Sequence, residues 1–414
     1  MQTVCIVGLG YIGLPTASLL ATKGFKVHGV DVNEGVVSAL KDGRILIYEP
    51  SLDIMVKSAV QSGQLVASTT PDVADVFILA VPTPFTDGHK PDLSYVKAAS
   101  EAIAPYVAPG NLIILESTSP VGTTEKVCEW VASLRPDLVL PCASGLGSGE
   151  QVYVAHCPER VLPGKILQEL VDNDRVVGGV DVASTRAAEQ FYKQFVQGAV
   201  LTTTARTAEL VKLTENSYRD VNIAFANELS LICEELDVNV WETIKLANHH
   251  PRVNILTPGP GVGGHCIAVD PWFIVDSAPS TSKLIHTARK VNEGKPEWVI
   301  NQVKRKAARF TAPQVACLGL SFKPDIDDLR ESPALQIVSE LAKDPNLKLF
   351  AVEPHVAQLP RKFEHCNNVS LVSLDEALHE ADIVVVLVAH RQFKDINQTL
   401  LLQRIVIDTC GLLA

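Results

Sequence analysis

The two ends of this chain carry the same order of apolar segments, and this repeat constrains the fold more than any other feature. Four short apolar segments recur in the same order, as residues 3–9 and 314–320, 25–31 and 347–353, 74–80 and 381–387, and 113–116 and 405–408. The copies are only weakly similar residue by residue, but chance rarely preserves such an order. Apolar strands alternating with helical stretches are typical of a parallel sheet covered by helices on both faces. The sequence therefore predicts two related, doubly wound α/β domains.

The segment between the two copies differs in kind. From Thr207 to about Asp237 the chain has no proline or glycine, and its apolar residues recur at helical spacing. This pattern predicts one helix of roughly 30 residues, about 45 Å long. Such a helix commonly connects two domains and offers a face for dimerisation. We expect an N-terminal domain over residues 1–206, a central helical domain over 207–310 and a C-terminal domain over 311–414.

Composition excludes several classes of protein. The net charge of -11 argues against a nucleic-acid partner. No apolar run reaches the roughly 18 residues that span a membrane, and residues 1–7 form a strand without the charged region of a secretory signal. The nine cysteines have no zinc-binding spacing, so we expect no metal, mostly buried thiols and a cytoplasmic location. The Gly/Ser-rich residues 141–152 predict a flexible surface segment.

A glycine-rich turn follows the first strand. Gly8, Gly10 and Gly13 form a GxGxxG motif that opens a helix. The first glycine permits a tight turn, the second lets the backbone approach a pyrophosphate, and the third lets the helix pack on the strand. Asp31 ends the second strand, where a carboxylate binds ribose hydroxyls and repels a 2′-phosphate. The motif predicts a Rossmann-like domain that binds NAD rather than NADP, with Tyr11 and Ile12 of the turn beside the cofactor.

Three threonines and two cations extend the predicted ligand sites. Thr83, Thr118 and Thr124 lie at or just beyond the carboxyl ends of predicted strands, where ligands bind in such sheets, so we expect them to line the nicotinamide. A rigid strand exit is the alternative for the Pro-Thr-Pro around Thr83. The C-terminal copy of the turn lacks the second and third glycines and carries Lys323 and Arg330 instead. These cations favour a nucleoside diphosphate held between the two α/β domains.

The strongest candidate for the reactive group is Cys266. It follows a loop rich in glycine and proline, residues 258–264, whose backbone can approach a ligand closely. Such a loop can also lead into a helix N-terminus that lowers the pKa of a thiol. Asp270 follows one helical turn later. A lone cysteine is usually a buried hydrophobic residue, but this position favours a nucleophile.

Two further groups of polar residues support this interpretation. Lys212 and Asn216 lie four residues apart on the predicted long helix and share one face, with Arg219 near it. Glu159 and Arg160 place an acid and a base side by side in a proline-rich loop. A solvated helix surface and an ordinary surface turn are the alternatives for these two groups.

These residues lie in segments that resemble the UDP-glucose/GDP-mannose dehydrogenases over essentially the whole chain. The most specific segments are residues 157–164 (CPERVLPG), 207–232, 250–255 (HPRVNI), 258–275 (PGPGVGGHCIAVDPWFIV) and 327–333 (DDLRESP). The resemblance implies two Rossmann-like doubly wound parallel-sheet domains, binding NAD and UDP, joined by a long central helix and a small helical domain. It also implies a homodimer through that helix, with the Arg252 loop reaching the partner subunit.

The resemblance implies a role for each candidate residue. Cys266 is the nucleophile, Lys212 the general acid/base or oxyanion partner, and Asn216 a support for the oxyanion; Asp270 and Thr118 position water, and Glu159 assists hydrolysis. The nucleotide sugar is surrounded by Glu159, Arg160, Lys212, Asn216, Arg219, His250, Arg252, Gly263, Phe322 and Lys323. The cofactor contacts Gly8, Gly10, Tyr11, Ile12, Gly13, Asp31, Thr83, Thr118, Thr124 and Arg330.

The implied reaction is a four-electron oxidation of the C6 alcohol of a UDP-sugar, through a cysteine thioester, for cell-envelope polysaccharides. The loops around Glu159 and Arg252 differ from those of the UDP-glucose enzymes, which favours UDP-N-acetyl-D-mannosamine as substrate. UDP-glucose and another UDP-N-acetylhexosamine are the alternatives. A two-electron dehydrogenase would not need Cys266, and a non-catalytic nucleotide-sugar sensor would be expected to have lost Lys212, Asn216 or Cys266.

Overall fold

The computed structural model describes residues 2–47, 49–86, 88–142, 150–162, 164–264 and 266–413. Residue contacts divide the chain into two compact units, Met1–Glu215 and Asn216–Ala414. The predicted division into three domains, with boundaries at residues 206 and 310, stays a prediction. Most of the flexible segment predicted at 141–152 lies outside the described residues.

The first unit is built on an eight-stranded sheet with the order β10-β9-β8-β7-β4-β1-β2-β3. Its strands are β1 Thr3–Val7, β2 Lys26–Val30, β3 Leu65–Ser68, β4 Val76–Leu79, β7 Leu112–Leu115, β8 Tyr153–His156, β9 Arg175–Gly179 and β10 Val200–Thr204. A separate antiparallel pair joins β5 Phe85–Thr86 and β6 Lys90–Pro91. Neighbouring strands of the large sheet are parallel except β8 and β9. The sequence did not predict this reversal.

Helices cover both faces of this sheet. They are α1 Gly13–Thr22, α2 Glu34–Lys41, α3 Leu52–Gln61, α4 Ser94–Ile103, α5 Thr123–Leu134, α6 Ile166–Asp172 and α7 Val182–Tyr192. Successive strand residues point to opposite faces, so Val4 and Ile6 of β1 pack in the core beside α1 and α7. Cys5 and Val7 pack in the core beside α4 and α5. The predicted doubly wound layout is therefore confirmed.

The predicted long helix is α8, Ala205–Glu235, and its bounds agree with the prediction to within two residues. Three more helices follow it: α9 Val240–Ala247, α10 Asp270–Ser277 and α11 Lys283–Ala307. The Asn239 side chain caps the start of α9 by accepting the N–H groups of Trp241 and Glu242. Among the helices in the described ranges, none is long and apolar enough to cross a membrane.

The second unit contains a five-stranded sheet with the order β13-β12-β11-β14-β15. The strands are β11 Gln314–Leu318, β12 Lys348–Val352, β13 Val369–Leu371, β14 Ile383–Val386 and β15 Ile405–Asp408, and all neighbours are parallel. The helices beside it are α12 Pro333–Leu341, α13 Leu374–Glu380 and α14 Gln398–Leu401. This order matches β3-β2-β1-β4-β7 of the first sheet, so the repeat predicted from sequence is present.

The cysteines depart from the expectation in one respect. Four free cysteines, Cys5, Cys157, Cys233 and Cys317, are buried as expected. A disulfide joins Cys128 of α5 to Cys142, 14 residues later. The scattered cysteine spacing did not predict this pair, because only the folded chain brings the two thiols together.

Candidate active site

The glycine-rich turn of the first unit has the geometry that a pyrophosphate requires. Gly8 has a φ of 96°, and a Cβ there would lie 2.5 Å from the carbonyl oxygen of Ala80. A Cβ on Gly13 would lie 1.8 Å from the Gly8 carbonyl oxygen, whereas one on Gly10 would meet nothing within 4 Å. Helix α1 begins at Gly13 and has no side-chain cap at Ile12, and an uncapped helix N-terminus of this kind favours a bound phosphate. Gly8 and Gly13 are therefore required by the shape of the turn, and Gly10 leaves space for a pyrophosphate to approach the backbone.

Asp31 lies beside this turn with its carboxylate oriented by the backbone. Its Oδ2 accepts the N–H of Leu9 at 2.9 Å, and its Oδ1 accepts the N–H of Asn33 at 2.9 Å. Asp31 and Gly10 line a cavity of about 220 Å³, whose other walls are mostly apolar. A ribose that donates to the carboxylate, next to an apolar adenine site, fits this arrangement.

The three predicted threonines do not share one environment. Thr83, after β4, donates its hydroxyl to the carbonyl of Thr118, after β7, so the sheet brings these two together. Thr124 is fully buried at the start of α5. Its N–H and hydroxyl donate to Glu209 Oε1 at 2.7 and 2.6 Å, and Gly122 N–H donates to Glu209 Oε2 at 2.6 Å. Thr124 therefore binds a carboxylate of α8 that caps α5.

A buried charged cluster lies where β7 and β8 end. Arg175 Nη1 donates to Glu159 Oε2 at 2.9 Å, and both side chains are at most 6% exposed. The N–H of Arg160 donates to the other Glu159 oxygen at 2.6 Å. Glu116 accepts the Tyr192 hydroxyl at 2.8 Å. Burial, together with the charge of Glu159, raises the pKa of Glu116 to about 7.

Within the first unit, α8 also binds the Glu159 loop. The Arg160 guanidinium donates to both carboxylate oxygens of Glu215, at 3.1 Å from Nε and 2.6 Å from Nη2. Lys212 lies one helical turn before Glu215 and Asn216. The predicted substrate residue Arg160 thus already has a carboxylate partner, which holds its loop against the helix.

In the second unit, Cys266 lies four residues before Asp270, the first residue of α10. It is exposed, whereas the other free cysteines are buried or half-buried. Its carbonyl accepts the N–H of Val269 at 3.1 Å and of Asp270 at 2.8 Å. The buried Asp270 carboxylate accepts the carboxamide N–H of Asn216 at 2.5 Å. Burial raises the pKa of the Cys317 thiol to about 12, so Cys317 is a poor candidate for a nucleophile.

The loop before Cys266 packs tightly against the residues that follow β11. A Cβ on Gly263 would lie 2.3 Å from the Glu331 carbonyl oxygen and 2.9 Å from Cβ of Phe322. Gly264 has a φ of 84° and lies against the Phe322 ring. The structure thus brings Gly263 and Phe322 together. Positions 263 and 264 both require glycine for steric reasons.

The predicted cations of the second unit are exposed. His250 and Arg252 follow α9 and are exposed, and Asn248 closes their loop by bonding both the N–H and the carbonyl of Ile255. Lys323 and Arg219 are also exposed.

Arg330, which sequence reasoning assigned to the cofactor, has a partner within its own loop. Its guanidinium donates to both oxygens of the Asp328 carboxylate, at 2.9 and 2.6 Å.

The C-terminal counterpart of Asp31 is Glu353, and its carboxylate is fully enclosed. Glu353 Oε2 accepts the N–H groups of Leu320 at 2.7 Å and Ser321 at 3.0 Å, and it lies 3.1 Å from Nε2 of the buried His390. His390 Nδ1 accepts the N–H of Asp325 at 2.9 Å. Because both ring nitrogens and the carboxylate have protein partners, this end of the second sheet is closed to a ribose.

One group among the described residues has the composition of a metal site: Asp325, His355 and His390. The Asp325 carboxylate accepts two hydrogen bonds from Arg391, at 3.0 Å from the backbone N–H and 2.9 Å from Nε. The nearest nitrogen of His390 also has a donor. Because both Asp325 oxygens and Nδ1 of His390 already accept hydrogen bonds, we assign no metal to this group.

Sequence reasoning missed several buried polar residues, namely Glu116, Arg175, Tyr192, Glu209, Glu353 and His390. A charged residue at the start of an otherwise apolar strand, as in Arg175 of β9, is a signal that could have found one of them. Tyr192 and Glu209 carry no such signal, because their partners lie 76 and more than 80 residues away in sequence.

Comparison with known proteins agrees with this architecture. The chain matches the NAD binding domain of the UDP-glucose/GDP-mannose dehydrogenase family over residues 2–196, the central domain over 206–294 and the UDP binding domain over 316–414.

Three similar proteins are informative. The UDP-N-acetyl-D-mannosamine dehydrogenase of Campylobacter jejuni is 56% identical, with 95% of this chain and 97% of the relative covered. The NDP-N-acetyl-D-galactosaminuronic acid dehydrogenase of Ralstonia nicotianae is 55% identical, with 99% of this chain and 96% of the relative covered. The solved UDP-N-acetyl-mannosamine dehydrogenase of Staphylococcus aureus superimposes with a TM-score of 0.87 at 42% identity. The match covers 99% of this chain and 95% of the solved chain.

Proposed function

This chain belongs to the UDP-glucose/GDP-mannose dehydrogenase family, and we propose that it oxidises the C6 alcohol of UDP-N-acetyl-D-mannosamine to the carboxylate in two NAD-dependent steps. The observation that carries this proposal is the placement of Cys266. Cys266 is exposed and lies four residues before Asp270, the first residue of α10, whose buried carboxylate is held by Asn216. A simple two-electron alcohol dehydrogenase has no need of such a thiol.

The turn in the first unit fits NAD. Gly10 leaves room for a pyrophosphate, and Asp31 presents a carboxylate beside an apolar cavity. When bound there, NAD supplies the acceptor for a hydride, once in each oxidation step. Gly8 to Gly13 hold its phosphates and Asp31 its ribose, while the negative charge of Asp31 disfavours a 2′-phosphate.

The protein residues supply the remaining chemistry. The C6 alcohol first loses a proton and a hydride and becomes an aldehyde. The Cys266 thiolate forms a C–S bond to the aldehyde carbon, and the oxygen becomes an oxyanion that Lys212 and Asn216 stabilise. One well-placed donor to such an oxyanion contributes roughly 3–4 kcal/mol. The thiol is required because a hydride leaves readily only from a tetrahedral carbon that bears an oxyanion.

The thioester formed by the second hydride loss is then hydrolysed. Water adds to its carbonyl, the C–S bond breaks, and the products are the carboxylate and the Cys266 thiol. We assign Asp270 and Thr118 to positioning this water and Glu159 to assisting its attack. Covalent attachment also prevents the aldehyde from leaving before the second oxidation.

The nucleotide sugar contacts that we propose remain those implied by the family resemblance. They are Arg160, Arg219, His250, Arg252, Gly263, Phe322 and Lys323, with Arg330 assigned to the cofactor. We also propose a cytoplasmic enzyme that makes precursors of cell-envelope polysaccharides.

The choice of sugar rests on relatives of nearly equal similarity. A UDP-N-acetyl-D-mannosamine dehydrogenase is 56% identical and an NDP-N-acetyl-D-galactosaminuronic acid dehydrogenase is 55% identical. Among the eight curated relatives compared, six bear the first name. The N-acetylgalactosamine substrate is therefore the second candidate, ahead of UDP-glucose.

The first test is the amount of NADH formed per sugar consumed, with UDP-N-acetyl-D-mannosamine, UDP-N-acetyl-D-galactosamine and UDP-glucose assayed side by side. We expect two NADH per UDP-N-acetyl-D-mannosamine and little turnover of the others. Cys266→Ala should abolish acid formation while leaving the melting temperature unchanged. If another UDP-sugar is turned over faster, that sugar is the substrate instead of UDP-N-acetyl-D-mannosamine. If only one NADH forms per sugar, the proposed thioester step does not occur.

We further propose a homodimer formed through α8. Tyr218, Phe225 and Ile232 recur every seven residues on this helix and are 70%, 54% and 45% exposed. Three large apolar side chains on one stripe favour helix–helix association. Phe225→Lys should shift the protein from dimer to monomer in sedimentation velocity, and a wild-type monomer at micromolar concentration would refute the proposal.

A further inference from the structure

A chain of buried polar side chains connects α8 and α11 within the second unit. Arg289 Nη1 donates to Asp220 Oδ1 at 2.7 Å, and Asn292 Nδ2 donates to the same oxygen at 2.8 Å. Asn227 Nδ2 donates to Asn292 Oδ1 at 2.8 Å. All four side chains are at most 3% exposed. Buried polar groups bonded in this way hold one another in fixed orientations.

This chain ends on the loop that precedes Cys266. Asn227 Oδ1 accepts the N–H of Gly259 at 2.8 Å. Pro258 and Pro260, on either side, have no N–H to donate. Among bonds between described residues, the bond from Gly259 to Asn227 is the one hydrogen bond that fixes a backbone group of residues 258–264. The Asn227 carboxamide is thus the polar anchor of this loop.

The direction of every bond follows from the charge at the far end. The Asp220 carboxylate can only accept, so Asn292 must turn its NH₂ group toward it and its oxygen toward Asn227. Asn227 must then donate to Asn292 and present its oxygen to Gly259. The Arg289–Asp220 ion pair therefore sets which end of the Asn227 carboxamide faces the loop.

Helix α8 holds the Cys266 segment at two points. Asn216 binds Asp270, four residues after Cys266, and Asn227 binds Gly259, seven residues before it. The two asparagines are 11 residues apart, about 16 Å along the helix. A rigid helix that holds both ends of a glycine-rich segment limits how far the thiol between them can move.

We propose that Asn227, oriented by Asn292, Asp220 and Arg289, is a positioning residue that sets the location of Cys266 for attack on the sugar aldehyde. This inference rests on the proposed function, which makes Cys266 the nucleophile. Asn227 itself touches the loop and not the reacting atoms. A misplacement of about 1 Å in such a site typically lowers the rate roughly 100-fold.

Two variants of Asn227 separate positioning from ordinary stabilisation. Asn227→Ala removes the acceptor for Gly259, whereas Asn227→Asp keeps an acceptor but loses the donor to Asn292 and adds a buried charge. We expect Asn227→Asp to be the less stable protein and yet the more active one, assayed well below both melting temperatures. The expected loss of kcat in Asn227→Ala is roughly 10- to 100-fold, with an unchanged Kd for NAD.

Asn222→Ala is the matched control, since Asn222 lies on the same helix and its Nδ2 donates to the Tyr218 carbonyl within that helix. It should keep wild-type kcat. If Asn227→Asp does not fold, Asn292→Ala replaces it, because the Asn227 carboxamide then loses its fixed orientation while keeping its atoms. We expect its kcat to lie between those of wild type and Asn227→Ala.

A second readout does not depend on the substrate. The rate at which iodoacetamide alkylates Cys266, followed by peptide mass spectrometry, should change at least about 3-fold in Asn227→Ala and not in Asn222→Ala. If activity follows melting temperature across the variants and the alkylation rate is unchanged, the inference is wrong. Failure of the proposed function appears differently, as wild-type protein that oxidises none of the UDP-sugars.

Discussion

The two sheets of this protein begin with the same turn but use its acidic residue in opposite ways. Asp31 and Glu353 each follow the second strand of their sheet, and each accepts the N–H of the leucine after the turn glycine, at 2.9 and 2.7 Å. Asp31 stays partly exposed beside a cavity of about 220 Å³. Glu353 is 5% exposed and lies against His390. The same position is open to a ligand in one sheet and closed in the other.

This difference shows that the turn by itself does not make a dinucleotide site. In both copies a carboxylate is oriented by backbone N–H groups. What decides its use is whether another side chain occupies its remaining lone pairs and whether small residues leave space for phosphates. The first sheet has Gly10 and Gly13 there, and the second has Ser321 and Pro324. The four predictions below test this comparison.

The largest effect is expected at the glycines of the first turn. In Gly13→Ala the new Cβ would lie 1.8 Å from the Gly8 carbonyl oxygen, so the turn must move. We expect a lower melting temperature and roughly 100-fold weaker NAD binding, measured by fluorescence titration. Gly10→Ala is the control for stability, since its Cβ meets nothing within 4 Å. It should melt as wild type does and still bind NAD more weakly. Normal NAD binding by Gly10→Ala would contradict the interpretation that Gly10 leaves space for the pyrophosphate.

The next effect concerns the two acids directly. Asp31→Asn removes a charged acceptor, and a hydrogen bond to a charged group contributes about 1.5–3 kcal/mol, so the Kd for NAD should rise roughly 10- to 100-fold. The preference for NAD over NADP should also shrink, as measured by kcat/KM for both. Glu353→Gln should leave these values unchanged. A change of NAD affinity in Glu353→Gln would show that the second acid is not closed off.

A smaller effect is expected on acid stability of the second unit. Burial opposes ionisation of Glu353, but the bonds from His390 and Leu320 outweigh it and hold the pKa of this carboxyl below its usual 4.5. A folded pKa below the unfolded one stabilises the protein above about pH 4.5, and this stabilisation is lost as the pH falls through the folded value. Glu353→Gln should cost about 1–3 kcal/mol at pH 7 and less at pH 4, by urea unfolding. An equal loss at both pH values would refute the assignment.

The smallest effect is expected at Glu116 and has the opposite sign. Burial and the charge of Glu159 raise the pKa of Glu116 to about 7, so the folded state holds its proton more tightly than the unfolded chain does. This carboxyl therefore destabilises the protein as the pH rises from 4.5 through 7. Glu116→Gln keeps an acceptor for Tyr192 and should be more stable than wild type at pH 8 by on the order of 1 kcal/mol. Urea midpoints that depend equally on pH in both proteins would contradict this.

Much of the fold follows from local pattern. The repeated apolar segment 25–31 contains the strand Lys26–Val30, the segment 405–408 coincides with the strand Ile405–Asp408, and α8 was predicted to within two residues. Apolar periodicity and the absence of proline and glycine are local signals, so they survive without knowledge of the tertiary fold. The reversed strand β9 and the disulfide Cys128–Cys142 were not predicted, since neither depends on a local signal.

The candidate site divides in the same way. Gly8, Gly10, Gly13, Asp31 and Cys266 could be proposed from the sequence because each follows a strand or a glycine-rich loop in the sequence itself. Thr124 looked equivalent to Thr83, but Glu209 of α8 binds it, and that contact joins residues 85 positions apart. Arg330 looked free to bind phosphate, whereas Asp328 of the same loop binds it.

The sequence by itself determined the two repeated sheets, the helix between them, the open glycine turn and the place of Cys266, the proposed nucleophile, because backbone sterics and apolar periodicity act over a few residues. Only the tertiary structure decided which polar groups lose their solvent. His390 lies against Glu353 from 37 residues away, Tyr192 against Glu116 from 76, and Asn292 against Asn227 from 65. Burial and pairing set the charge and orientation of these groups, and both arise only when distant segments pack together.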